Sequence, residues 1–130
     1  MKLGFYAAAI FNIAGILVFT RAFTNDAFFQ ADPAMFSRPA CVVVILWGLA
    51  YAAQARTWQT APAISLVFAL EKLVYVLWWV WWLAMHGQDL GVIFDRDAMA
   101  GVFYGIYGAG DALFCLFFAW AARQALATRR

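Results

Sequence analysis

Four apolar stretches, each close to the length of a membrane-crossing helix, take up most of this chain of 130 residues. They cover residues 3–21, 40–57, 62–85 and 101–122. The hydrocarbon core of a bilayer is about 30 Å thick, and about 20 helical residues cross it. The stretches are continuous rather than alternating, which excludes a membrane β-barrel. We therefore predict an all-α, polytopic membrane protein, in which residues 1–130 form one antiparallel bundle of four transmembrane helices.

The composition separates this chain from soluble helical proteins. Hydrophobic residues make up 67% and charged residues 12%, against about half and about a quarter in a typical soluble domain. A water-soluble four-helix bundle would need a charged outer face on every helix, and residues 41–53 and 73–85 contain no charged residue. Four tryptophans between residues 78 and 82 are typical of an aromatic belt at the headgroups. Membrane lipids are therefore expected partners.

Helix boundaries and orientation follow from the polar residues between the stretches. Pro39 and Pro62 suit the first turns of helices, and Asp97 is a plausible N-cap for the last one. With both termini inside, the inner side carries Lys2, Arg56, Arg123, Arg129 and Arg130. The outer side then carries Arg21, Arg38 and Arg96. This excess of positive charge inside predicts an N-in, C-in topology in a bacterial inner membrane.

Four polar residues lie near the predicted middle of the bilayer. Asn12, Glu71, Lys72 and Asp111 are each about nine or ten residues from the start of a stretch, which is about 15 Å along a helix. An ionisable side chain at this depth costs at least about 2.5–3.5 kcal/mol, so it should face the bundle interior and be paired. Lys72 is rotated about 100° from Glu71 around the helix and could reach Asp111. One acid is then left over, to be protonated or neutralised by a ligand, an ion, water or another protein.

Helical spacing extends this cluster along two of the helices. Tyr75 and Trp78 share the face of Glu71, and Tyr104 and Tyr107 share the face of Asp111. The second stretch could add Trp47, Tyr51 and Gln54. The predicted ligand-binding or proton-handling residues are Asn12, Glu71, Lys72, Tyr75, Trp78, Tyr104, Tyr107 and Asp111. They would form a polar midplane pocket open towards the outer leaflet, although the same charges could equally be a structural link between helices.

Small residues mark one face of the last stretch. Gly101, Gly105 and Gly108 have spacings that let helices approach closely. We predict a helix-packing face, which would meet another helix of the same chain, a second copy or a larger complex.

Other chemical signals are weak. Cys41 and Cys115 fall at different depths, which excludes a disulfide between them, and no base lies at helical spacing from either thiol. His86 has no partner at metal-ligand spacing. Basic runs that would indicate nucleic acid do not occur, nor does a triad, phosphate loop or dinucleotide fingerprint. We expect no metal and no cofactor, and the motifs give no support for a stand-alone enzyme.

Two segments resemble those of small, uncharacterised four-helix bacterial membrane proteins that are loosely DoxX-like. They are residues 68–75, FALEKLVY, and residues 104–111, YGIYGAGD. The resemblance implies a four-helix membrane bundle and carries no activity.

Three functions fit these observations. The first is binding of a lipid-like or amphipathic small molecule in the midplane pocket. The second is an accessory or structural subunit of a larger membrane complex, favoured by the short loops and the glycine face. The third is a proton-coupled small-molecule transporter that acts as a dimer through Glu71.

Overall fold

The computed structural model of the protein describes residues 1–128, which fold as helices and turns without any strand. The helices are α1 (Lys2–Phe19), α2 (Asp26–Ala31), α3 (Arg38–Gln54), α4 (Pro62–His86), α5 (Leu90–Arg96) and α6 (Ala98–Ala127), with a 3-10 turn at Gly87–Asp89. The all-α prediction is confirmed. Arg129 and Arg130, which we assigned to the inner side, lie outside the described residues.

Three helical segments are long and apolar enough to cross a membrane. They are Lys2–Phe19, Pro62–Arg96 and Ala98–Ala127. Helix α3 is apolar too but has 17 residues, or about 26 Å of length, slightly less than a hydrocarbon core of about 30 Å. Large apolar side chains cover the outside of these helices. Such surfaces indicate an integral membrane protein.

Pro39, Pro62 and Asp97 lie at helix starts, as predicted, but α3 begins at Arg38 and ends at Gln54 instead of covering 40–57, and α6 covers Ala98–Ala127 instead of 101–122. Pro62 is the first residue of α4, and Pro39 is in the first turn of α3. The side chain of Asp97 caps α6 by accepting a hydrogen bond of 2.9 Å from the Ala100 N–H. Neither proline removes a hydrogen bond that the helix needs there.

The long helices associate as two antiparallel pairs. Helix α4 packs along α6, with Phe68 against Phe118 at one end and Trp82 against Tyr104 at the other. Helix α1 packs along α3 in the same manner, while α1 meets α6 and α3 meets α4 over smaller areas. We call the end with Lys2, Ala127 and the α3–α4 turn the terminal end, and the end with α2 and α5 the loop end.

The segments predicted as polar loops contain helices. Residues 22–39 include α2, and residues 86–100 include α5. Phe28, Phe29 and Phe36 are buried, and Phe28 and Phe36 both pack on Phe103 of α6. Burial of three phenylalanines therefore folds the first segment back onto the bundle.

Helix α1 ends two residues earlier than its predicted limit at Arg21. Arg21, Ala22 and Phe23 have φ angles of 49°, 54° and 69°, the left-handed conformation that commonly ends helices. The Ala22 N–H donates to the Leu17 carbonyl at 2.8 Å. The chain is thereby turned towards α2.

Candidate functional site

A buried network of three side chains joins the helices at the predicted midplane level. Lys72 Nζ lies 2.6 Å from Asp111 Oδ1 and donates to Asn12 Oδ1 at 2.7 Å. Asn12 Nδ2 in turn donates to the Val44 carbonyl at 3.0 Å. Lys72 is 1% exposed. We call Asn12, Lys72 and Asp111 the ion-pair network; it links α1, α3, α4 and α6, and it confirms the predicted Lys72–Asp111 contact.

Glu71 is the surplus acid. Its Oε2 accepts a hydrogen bond from the Tyr51 hydroxyl of α3. Its Oε1 is buried without a hydrogen-bond partner, and no Lys or Arg in residues 1–128 forms an ion pair with Glu71. The structure therefore separates the two acids: Asp111 has its counter-ion and Glu71 does not.

A cavity of about 560 Å³ lies on the loop-end side of these polar groups, mainly between α1 and α6. Its polar lining includes Glu71, the ion-pair network and Tyr107. The Tyr107 hydroxyl is buried without a partner among residues 1–128, and the Tyr107 ring packs on Phe36 and Phe103. The aromatic walls are Phe11, Phe19, Phe36, Tyr75, Phe103 and Tyr107. This volume is within the about 300–1,000 Å³ range of small-molecule sites, and such sites combine apolar walls with a few polar groups.

The cavity opens sideways between α1 and α6. Its rim includes Ile10, Val18 and Ile106, which are 64%, 54% and 56% exposed. Because these residues are on the apolar outside of the helices, the opening faces the surroundings that a bilayer would occupy. Towards the terminal end, Phe11 closes the space by packing close to Gly110 and against Phe114.

Six of the eight predicted site residues line this cavity. They are Asn12, Glu71, Lys72, Tyr75, Tyr107 and Asp111. The other two lie outside it, nearer the loop end. The Tyr104 hydroxyl donates to the Phe28 carbonyl at 2.8 Å, and Trp78 Nε1 donates to Asp32 Oδ2 at 2.8 Å. Both side chains hold the segment between α1 and α3 in place.

Of the three residues that α3 was expected to add, Tyr51 alone reaches the polar groups. Trp47 packs on Phe68, and the Gln54 side chain donates to the Ala61 carbonyl in the α3–α4 turn. Sequence reasoning missed Phe36, which lines the cavity from a segment predicted to be an outer loop. Its signal was the group of phenylalanines within an otherwise polar loop.

The predicted glycine face divides into two parts. A side chain at Gly101 would overlap Phe94 of α5, at distances from 2.6 Å, and one at Gly108 would overlap the Trp79 ring of α4. These glycines therefore allow close packing within the chain. A Cβ atom at Gly105 would have no neighbour within 4 Å. No contact within residues 1–128 therefore requires a glycine at this position.

The remaining reactive side chains lie apart from the cavity. Cys41 and Cys115 are not bonded to each other, and the Cys115 thiol is 3.3 Å from the Ala69 carbonyl. His86 lies 3.5 Å from Asp89 on the surface of the loop end. Within residues 1–128, no group of His, Cys, Asp or Glu side chains has the arrangement of a metal site.

A second polar cluster ties the loop end together. Arg21 Nη1 lies 2.6 Å from Asp97 Oδ2, and Asn25 Nδ2 donates to Asp97 Oδ1 at 3.0 Å. Burial alone would raise the pKa of Asp97, but the hydrogen bonds from Ala100, Asn25 and Arg21 outweigh it and hold the pKa below its usual value.

Comparison with known proteins adds no relative: no family model, curated protein or solved structure matches this chain. The DoxX-like resemblance therefore stays a prediction.

Proposed function

We propose that the chain forms an antiparallel bundle of four transmembrane helices in a bacterial inner membrane, and that its cavity binds an amphipathic or lipid-like small molecule. The observation that carries this proposal is the cavity of about 560 Å³, whose lining is mostly apolar and includes Glu71. Within residues 1–128, Glu71 Oε1 has no hydrogen-bond partner. A buried polar atom without a partner costs about 1–3 kcal/mol. A bound polar group would remove that cost.

The side opening supports a ligand that arrives from the bilayer. A molecule with an apolar tail can pass between α1 and α6 past Ile10, Val18 and Ile106 without entering water. Its tail would lie against the aromatic walls and its polar group would reach the midplane. Burial of apolar area supplies about 25 cal/mol per Å², although a tail that leaves lipid gains less than one that leaves water.

A purely structural role explains the ion-pair network but not Glu71. Lys72, Asp111 and Asn12 satisfy one another and hold four helices together. Within the described part of the chain, Glu71 is bonded through its side chain only to Tyr51, and its second oxygen has no partner. Because a membrane-embedded charge without a counter-ion is costly, we expect Glu71 to be present for function.

Charge at the two ends supports the N-in, C-in topology. The terminal end carries Lys2, Arg56 and Arg123, all exposed. At the loop end, Arg38 pairs with Asp26 at 2.7 Å and Arg21 with Asp97. Arg96 is a third arginine at the loop end, so the excess of positive charge at the terminal end comes from Arg129 and Arg130, which follow α6 in the sequence. The end with this excess would lie in the cytoplasm.

A second proposal is association with another copy or with a larger complex through α6. Gly105 has open space beside it, and its neighbours Val102 and Ile106 are exposed. Small residues on an apolar helix surface favour close helix–helix contact in lipid. Gly105→Phe should then lower the mass of the assembly in native mass spectrometry, and an unchanged mass would exclude this face.

Photolabelling in nanodiscs tests ligand binding. The probe is an uncharged long-chain alcohol with a diazirine in its chain, and labelled residues are mapped by mass spectrometry. We expect labelling concentrated on residues that line the cavity. Gly15 lines the cavity and has free space beside it, so Gly15→Phe should fill the site and reduce this labelling about 10-fold, the equivalent of about 1.4 kcal/mol.

Gly91→Phe is the matched control, because Gly91 also has free space beside it but does not line the cavity. Labelling of the cavity in this control variant should stay at the wild-type level. Uniform labelling of all lipid-facing residues, with no change in Gly15→Phe, would contradict the proposal.

A further inference from the structure

We infer that the cavity selects amphiphiles whose polar group is a protonated amine, with Glu71 as the residue that recognises it. This inference rests on the proposed function, because it names the chemical class of the molecule that the cavity would bind. It follows from a charge count, from the geometry of Glu71 and from the nature of the walls.

The charge count leaves the cavity negative. Its ionisable lining residues, tyrosines aside, are Glu71, Lys72 and Asp111. Lys72 is 2.6 Å from Asp111 and also donates to Asn12. The positive charge of Lys72 is therefore neutralised by the carboxylate of Asp111. With Glu71 ionised, one negative charge remains without a partner. A cationic ligand would bring the site to neutrality, whereas an anionic one would add a second uncompensated charge.

The geometry of Glu71 calls for a hydrogen-bond donor. Tyr51 already donates to Oε2, and Oε1 is the oxygen without a partner. An ammonium group supplies both the N–H that Oε1 lacks and the positive charge that the carboxylate lacks. Hydrogen bonds between two charged groups are about twice as strong as those between neutral groups. An alcohol could supply the donor but not the charge.

The walls suit the remainder of such a molecule. Aromatic side chains attract cations through their ring faces, and the cavity contains several, among them Phe36, Tyr75 and Phe103. Lys72 Nζ itself lies 5.4 Å from the centres of the Phe11 and Tyr51 rings. The apolar length of the cavity would hold the alkyl part of the amine.

Photolabelling with matched head groups tests this inference. Two diazirine probes share one alkyl chain; one ends in a primary amine and the other in a hydroxyl. The protein is held in nanodiscs of uncharged phosphatidylcholine, so that the lipid surface does not concentrate the amine. We expect the amine to label the cavity about 10-fold more than the alcohol, the effect of one charge-assisted hydrogen bond.

Glu71→Gln keeps an acceptor for Tyr51 and removes the charge. It should bring the labelling by the two probes close to equal, because it lowers amine labelling far more than alcohol labelling. Equal labelling of the cavity by both probes in the wild-type protein would overturn the amine preference and leave the ligand site standing. A preference that persists in Glu71→Gln would overturn the role of Glu71. Failure of both probes to label the cavity would overturn the proposed function itself.

If Glu71→Gln does not fold, Tyr51→Phe is the second variant, because it removes one hydrogen bond to Glu71 and keeps the charge. The amine preference should survive in Tyr51→Phe. If Tyr51→Phe lost the amine preference as completely as Glu71→Gln is expected to, recognition of the amine by the charge of Glu71 would be contradicted.

Discussion

Glu71 and Asp111 are two acids at the same level of the molecule, and their surroundings are opposite. Asp111 has Lys72 at 2.6 Å and belongs to a network that joins four helices. Glu71 is next to Lys72 in the sequence and lines the same cavity as Asp111, yet within residues 1–128 its one side-chain hydrogen bond is from Tyr51 and it has no ion pair. The difference comes from the rotation of about 100° between successive helical residues. It teaches that one pair of charges can join the helices while a neighbouring charge on the same helix is left without a counter-ion.

The largest expected effect is from breaking the ion-pair network. Lys72→Met leaves Asp111 buried and unpaired, so it should lower the free energy of unfolding by about 3–5 kcal/mol. The free energy of unfolding is measured in mixed detergent micelles. The double variant Lys72→Met/Asp111→Leu leaves no charge of the pair and should recover much of that loss. A double variant that loses the sum of the two single effects would contradict a coupled pair.

The next largest effect is expected at the close contact between α4 and α6, the two helices that carry Lys72 and Asp111. Gly108→Ala would drive a methyl group into the Trp79 ring, and overpacking of this kind costs about 1–3 kcal/mol. Gly105→Ala meets no neighbour within 4 Å and should be neutral or slightly stabilising, because alanine favours helix. The same unfolding measurement compares the two. Equal losses would mean that Gly105 is also in a tight contact.

A smaller effect is expected at the second acid. Glu71→Gln retains an acceptor for the Tyr51 hydroxyl and removes no ion pair, so the free energy of unfolding should change by less than about 1 kcal/mol. A loss as large as that of Lys72→Met would place Glu71 among the structural charges and would contradict the division between the two acids.

The smallest effect is expected from removing the charge of Asp97 at the loop end. The pKa of Asp97 is lowered in the folded protein, so its ion pair stabilises the fold above the unfolded-state pKa of about 3.9, and this contribution is lost as the pH falls through the folded pKa. Asp97→Asn removes the charge and remains a good N-cap. The difference in unfolding free energy between wild type and Asp97→Asn should shrink as the pH falls from 7 to 3.

Asp97→Ala is the matched variant, since it also removes the cap. Losing the cap should cost about 1 kcal/mol more than Asp97→Asn at every pH in that range. If the two variants had the same free energy of unfolding, the hydrogen bond that Asp97 accepts from the Ala100 N–H would contribute nothing to stability.

Much of the fold was readable from the sequence because long apolar runs leave few alternatives to helices. The same periodicity brought Lys72 to Asp111 and six predicted residues to one cavity. It could not reveal that Tyr104 and Trp78 hydrogen-bond to the segment after α1, because helical spacing says nothing of how a loop folds back. The role of Phe36 was missed for that reason, and the gap between α1 and α6 depends on helix tilt and packing that spacing does not fix.

Native mass spectrometry of the protein gently released from its own membrane tests the central claim most directly. We expect the wild-type protein and Gly91→Phe to retain the mass of a small molecule, and Gly15→Phe to be bare because its side chain fills the cavity. A wild-type protein without added mass, or an equal added mass in Gly15→Phe, would contradict a ligand site between α1 and α6.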